Sequence, residues 1–145
     1  ISVFETGAIL IYLAEKTGSE LLPASGARRA EVLQWLMWQM GGIGPMFGQV
    51  THFASNAPDN EYSLNRYMDE AMRLFDVLET RLGDRDYVAG DYSIADIAIY
   101  PWAAGKMQDW LPKFRPGKWD QLVQVRDWYD RIAARPAVVR GMAVP

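Results

Sequence analysis

Between Val32 and Pro58 the chain carries no Asp, Glu, Lys or Arg. So long an uncharged run belongs either in a bilayer or inside a packed bundle. Its own residues exclude the bilayer. Gln34, Gln39, Gln49, Thr51, His52, Ser55 and Asn56 are too polar for a lipid-facing span, and Gly41, Gly42, Gly44 and Pro45 interrupt its middle. The expected structure is a helix buried on nearly all sides, central to a helical bundle and able to line a pocket. Residues 27–40 form its first part, the Gly-Gly-Ile-Gly-Pro step bends or breaks it, and residues 46–53 continue it.

The neighbouring segments fit the same architecture. Residues 6–16 place Ile9, Leu10, Leu13 and Ala14 at helical spacing, and Gly18 follows as a stop signal. Residues 61–82 give the clearest helix, with Leu64, Tyr67, Met68, Ala71, Leu74, Phe75, Leu78 and Leu82 on one stripe. Tyr92-Ser93-Ile94-Ala95-Asp96-Ile97 has the form of a capping box with its hydrophobic staple. The helix it opens is expected to reach about residue 110 with a kink at Pro101. A loop over 112–117 and a last helix over 119–135, stopped by Pro136, complete the pattern. Strand signals are confined to Ile1-Ser2-Val3, which reads as the end of a strand, so a preceding N-terminal domain is expected. The fold class is therefore all-α, a bundle of about five to seven helices.

Composition narrows the chemistry. The sequence has no cysteine, which excludes a disulfide scaffold, a thiolate nucleophile and cysteine metal sites in this chain. One histidine, His52, builds no multi-histidine metal centre, and no Ser-His-Asp spacing supports a triad. A net charge of -3 offers nucleic acid no broad basic face. With 50% hydrophobic and 23% charged residues over 145 positions, the chain is a globular, cytosol-compatible domain rather than a disordered one.

The residues best suited to bind a ligand stand at the first helix. In Glu5-Thr6-Gly7-Ala8, helix-start amides and the Thr6 hydroxyl suit a carboxylate, while Glu5 suits an ammonium beside it. Together they match an amino-acid head group. On spacing alone, an ordinary threonine cap with an acidic neighbour accounts for the pair equally well. Arg66 reads as a solvated helix-face charge. Trp35, Met37, Trp38 and Met40 read as core or interface packing, and Gly44 and Gly48 as a small-xxx-small step that permits close approach. Asp96 reads as a cap, with no catalytic role.

Residues 4–16, Phe4-Glu5-Thr6-Gly7-Ala8 through Lys16, resemble the helix that ends the thioredoxin-like domain of glutathione transferases, and the Ser93–Ile97 box resembles the capping box of that family's helical domain. Residues 34–46 and 61–82 are similar to the bacterial Nu class, which acts as disulfide-bond oxidoreductases. The resemblance implies a remnant of the thioredoxin-like domain over 1–17, a linker over 18–27 and the helical domain over 28–145. It implies that Glu5 and Thr6 grip the γ-glutamyl end of glutathione, Thr6 standing where the family usually has Ser. It implies that Arg66 contacts a glutathione carboxylate, from the neighbouring subunit of a homodimer. Gln49 and His52 become possible pocket residues, and Val50, where many relatives carry Asn, departs from the pattern. The implied activity is glutathione-dependent disulfide reduction or glutathione transfer, in the cytoplasm, with a small disulfide or electrophile as second substrate and no metal, nucleic acid or membrane. The thiol-activating group is expected upstream, so no catalytic residue is assigned here. The alternative is a non-catalytic interaction or regulatory module of the same fold, which Val50 and the expected upstream domain favour.

Overall fold

The computed structural model describes residues 1–105 and 107–144. Lys106, inside the helix expected to reach residue 110, and Pro145, at the end of the expected 28–145 domain, lie outside the described residues. The described residues are all-α: α1 (Thr6–Thr17), α2 (Gly26–Trp38), a π-helical turn (Gln39–Ile43), α3 (Gly44–Asn56), α4 (Glu61–Leu82), α5 (Ile94–Ala104), α6 (Met107–Phe114), the single turn α7 (Lys118–Gln121), α8 (Val123–Ala133) and α9 (Pro136–Met142). Residues 1–4 form no strand.

The uncharged run differs from expectation in two ways. Its Gly-Pro step does not break the helix. Pro45 has no N–H to give the carbonyl four residues back, and the backbone instead widens by one residue, so that the Gly44 N–H bonds to the Gln39 carbonyl. Nor is the run buried on nearly all sides. Val32, Leu36, Ile43, Phe47 and Val50 face the core, whereas Gln34, Met37, Gly41, Pro45, Gln49 and His52 face out. Residues 34–52 thus present an exposed helical face without charge. No helix among the described residues is long and apolar enough to cross a membrane.

α4 has the bounds its periodicity predicts, and Asn60 caps it by accepting from the Ser63 amide at 3.1 Å. It runs antiparallel to the α2–α3 rod: Leu74 packs on Gly42, Phe75 on Phe47 with ring centroids 4.9 Å apart, and Tyr67 stacks on Phe53 at 5.5 Å. Of its expected stripe only Tyr67 is less than buried, and Met72 joins the core in addition. Burying such side chains contributes about 1.5–3 kcal/mol each, so this seam is the main source of cohesion.

Further along, Pro136 opens α9 rather than ending α8, because proline is well tolerated in a first helical turn. α8 starts after Leu122, which has no capping side chain. Glu79 of α4 supplies the cap from across the bundle, accepting from the Gln124 amide at 3.0 Å and the Val125 amide at 2.9 Å. Glu79→Ala is expected to lower unfolding free energy by about 1–2 kcal/mol in urea denaturation. An unchanged midpoint would show the two amides to be satisfied by other means.

The direction of the helices defines one end of the bundle. α1 stops at Gly18, where the Ser19 amide closes on the Ala14 carbonyl at 2.9 Å. The start of α5 hooks to the following linker, Ile94 N–H to the Leu21 carbonyl at 3.0 Å. α5 packs along α1, so the end of α5 points toward the start of α1. There Gly7 touches Met40, where an added Cβ would lie 3.3 Å from the methionine Cγ. The start of α1, the π turn and the end of α5 thus gather at one end, from which the α3–α4 hairpin projects.

Candidate functional site

The first turn of α1 has two unusual features. Glu5 adopts φ 68° and ψ 120°, and is the only non-glycine at positive φ among the described residues. Such a conformation costs on the order of 1–3 kcal/mol and persists where the surroundings impose it. Here the Glu5 carbonyl accepts the Ile9 amide at 2.9 Å, and Gly7 is pressed against Met40. Second, no side chain caps the helix and no acidic residue lies in its first turn. Its leading amides and its positive dipole end are therefore available to an anion. The Glu5 carboxylate and the Thr6 hydroxyl are both exposed beside them. The strained residue turns the chain so that acid, hydroxyl and amides stand together.

The other predicted residues lie on the projecting hairpin. Gln49 and His52 are exposed on α3, with His52 Nδ1 3.4 Å from Asn56 Nδ2 and its ring edge-on to Phe53 at 5.2 Å. Arg66 is exposed on α4. Hydrogen bonds from Arg73 hold the Glu70 carboxyl below the usual carboxylate range, and the Arg66 charge adds a smaller pull. The structure therefore forms two groups, Glu5 with Thr6 and Gln49 with His52 and Arg66. No hydrogen bond or ion pair among the described residues joins them.

Val50 is fully buried. Its apolar side chain belongs to the core, so it gives no support to a module that has lost its site.

Asp96 is more than a cap. It is fully buried and accepts four hydrogen bonds, from Val88 N at 3.1 Å, Ser93 N at 3.0 Å, Ser93 Oγ at 3.1 Å and Trp128 Nε1 at 2.9 Å. Burial pushes its carboxyl above the ordinary aspartate range, and these donors pull it only part of the way back. It has no access to a substrate, which supports the expectation that it is not catalytic. Its partner Trp128 was not legible as such, beyond the general rule that a buried indole N–H needs an acceptor.

An apolar cavity of about 290 Å³ lies between α5, α8 and α9, with Tyr92, Ile97, Tyr100, Ile132 and Val138 in its wall. It contains none of the predicted site residues. Burial, aided by Tyr129, pushes the Tyr100 phenol up to about 12, so it stays a neutral donor near pH 7 and supplies no base. No group of three or more His, Cys, Asp or Glu among the described residues can hold a metal ion.

Comparison with known proteins accords with this geometry. The family described as glutathione S-transferase, C-terminal domain, matches residues 43–136. The disulfide-bond oxidoreductase YfcG of Escherichia coli is 44% identical over 98% of this chain and 64% of its own length. A glutathione transferase of Pseudomonas putida, solved with one glutathione disulfide bound per subunit, is 44% identical, with a TM-score of 0.91 over 100% of this chain and 64% of that one. One from Burkholderia graminis, solved with two glutathione molecules per subunit, is 45% identical, with a TM-score of 0.90 over 100% of this chain and 61% of that one. The chain spans between about half and two thirds of the length of the curated relatives it matches, 56%, 64% and 51% for three of them.

Proposed function

The chain belongs to the glutathione S-transferase family, and from that premise we propose that it is the helical part of a glutathione-dependent enzyme that reduces small disulfides or transfers glutathione to an electrophile. The observation that carries this reading is the uncapped, strained start of α1. A γ-glutamyl group carries an ammonium and a carboxylate on one carbon. Glu5 pairs with the first. The Thr6 amide and hydroxyl, at a positive helix end, receive the second.

Residues 1–17 close a thioredoxin-like domain, 18–27 link it and 28–145 form the helical domain. The face of α1 turned away from the bundle leaves Ile9 and Leu13 exposed, and Phe4 precedes them, which suits packing against the rest of such a domain. That domain supplies the hydrogen bond that lowers the glutathione thiol pKa. In disulfide reduction, the thiolate attacks one substrate sulfur and expels the other as a thiolate. A second glutathione then resolves the mixed disulfide, giving glutathione disulfide and two substrate thiols. Gln49 and His52 border the second substrate. The protein is a Nu-class enzyme of the cytoplasm and works as a homodimer in which Arg66 reaches a glutathione carboxylate of the neighbouring subunit through its planar fork.

In calorimetric titration of the full-length protein, Arg66→Ala is expected to weaken glutathione about tenfold, the loss of one charge-assisted contact. Equal affinities would remove Arg66 from the site. Sedimentation at micromolar concentration is expected to give a dimer, and a clean monomer would contradict the shared site.

A further inference from the structure

We infer that Trp102, seated on the Gly44–Gly48 step of α3, is the specificity-determining wall for the second substrate, and that it selects a flat, uncharged, aromatic or conjugated group. The inference rests on the glutathione reading above. α5 is buried along most of its length, yet the Trp102 side chain is 39% exposed. The indole lies against two positions that have no side chain: a Cβ at Gly44 would stand 3.6 Å from Cε2, and one at Gly48 would stand 4.0 Å from Cζ3. The two glycines are one helical turn apart on one face, so the small-xxx-small step is accounted for as a seat for this ring. It fixes the indole without covering it.

Three further observations point to a ligand. The Gln39 side chain reaches the same place, its Nε2 3.0 Å from the Gly44 Cβ position. Gln39 is 3% exposed, and its Oε1 is buried without a hydrogen-bond partner. A buried amide left unsatisfied beside an exposed indole is an apolar surface with a polar edge, the composition of a small-molecule subsite. Second, the place is right. Gln39 precedes Met40, which packs on Gly7, the residue after Thr6. Third, the α3 face beside the ring carries Pro45, Gln49 and His52 and no formal acid or base other than the histidine, which favours an uncharged partner. Trp102 contacts the substrate's transferred or leaving portion through the face of its ring. It takes no proton and forms no bond.

The test uses the full-length protein with two probes, glutathione and S-(2,4-dinitrophenyl)glutathione, titrated by calorimetry. The added ring of the conjugate is expected to tighten binding. Trp102→Ala is expected to cut that advantage about tenfold while leaving the glutathione affinity unchanged, and Trp102→Phe to keep most of it. Unchanged glutathione binding also shows that the variant is folded. A conjugate advantage that survives in Trp102→Ala, or a parallel loss for both probes, would overturn the inference. If the unaltered protein binds glutathione but gains nothing from the ring, the subsite alone falls. If it binds neither probe, the glutathione reading falls and takes the subsite with it.

Discussion

Asp96→Ala is expected to lower the unfolding free energy by about 4 kcal/mol. The substitution removes the acceptor of three N–H donors, those of Val88, Ser93 and Trp128, all buried with it. Each unsatisfied buried donor costs about 1–3 kcal/mol, partly offset where water enters the space left behind. Domains of this kind are stable by about 5–15 kcal/mol, so the variant stands near the limit of folding. Asp96→Asn keeps one acceptor oxygen and is expected to lose about half as much. Urea unfolding of both variants measures this, and a loss below about 1 kcal/mol for alanine would mean that the network contributes little. The pH dependence has a defined sign. Because the folded carboxyl titrates above its unfolded value, the folded state holds the proton more firmly. The Asp96 contribution therefore falls as pH rises from the ordinary aspartate range through the raised folded value, and is flat above it. Asp96→Asn removes that slope.

Glu5→Gly is expected to separate stability from function. Glycine adopts positive φ without strain, so the unfolding free energy is expected to rise by about 1 kcal/mol, the relief of strain less the cost of a more flexible unfolded chain. The same change removes the carboxylate that faces the ammonium of glutathione, and affinity is expected to fall about thirtyfold, within the range for a lost charge-assisted bond. Thr6→Val keeps the shape of the side chain, removes only the hydroxyl, and is expected to cost about tenfold. Denaturation and titration of the same samples decide the matter. A destabilised Glu5→Gly with unchanged affinity would mean that the strain serves the fold and not a ligand.

The parts of the fold set by local pattern were open to reading from the residues. α4 came out with the predicted bounds because eight apolar positions and a capping Asn60 agree with one another. The Ser93–Asp96 box was visible because its two halves are three residues apart. Features set across the bundle were not. Glu79 caps a helix 45 residues away, and Asp96 meets an indole 32 residues away, pairings that only the packed structure brings about. Pro45 and Pro136 were misjudged for a local reason. Proline forbids one hydrogen bond but not the helix, and the chain either widened into a π turn or began a new helix at the ring. At the candidate site the acid–hydroxyl pair was legible by type and order. The Glu5 backbone strain was not, since nothing in the residue identity of glutamate announces a positive φ. Trp102 and Gln39 escaped notice because one looked like core and the other like filler in an uncharged run. The meaning of Gly44 and Gly48 became clear only with the indole in place.

The claim on which the rest stands is that the turn into α1 holds the γ-glutamyl end of glutathione. A crystal structure of the full-length protein grown with glutathione tests it most directly. The expected density places the γ-glutamyl carboxylate within hydrogen-bond distance of the Thr6 amide and hydroxyl, and the ammonium beside the Glu5 carboxylate. Well-ordered glutathione bound elsewhere, with Glu5 and Thr6 facing only solvent, would contradict the account.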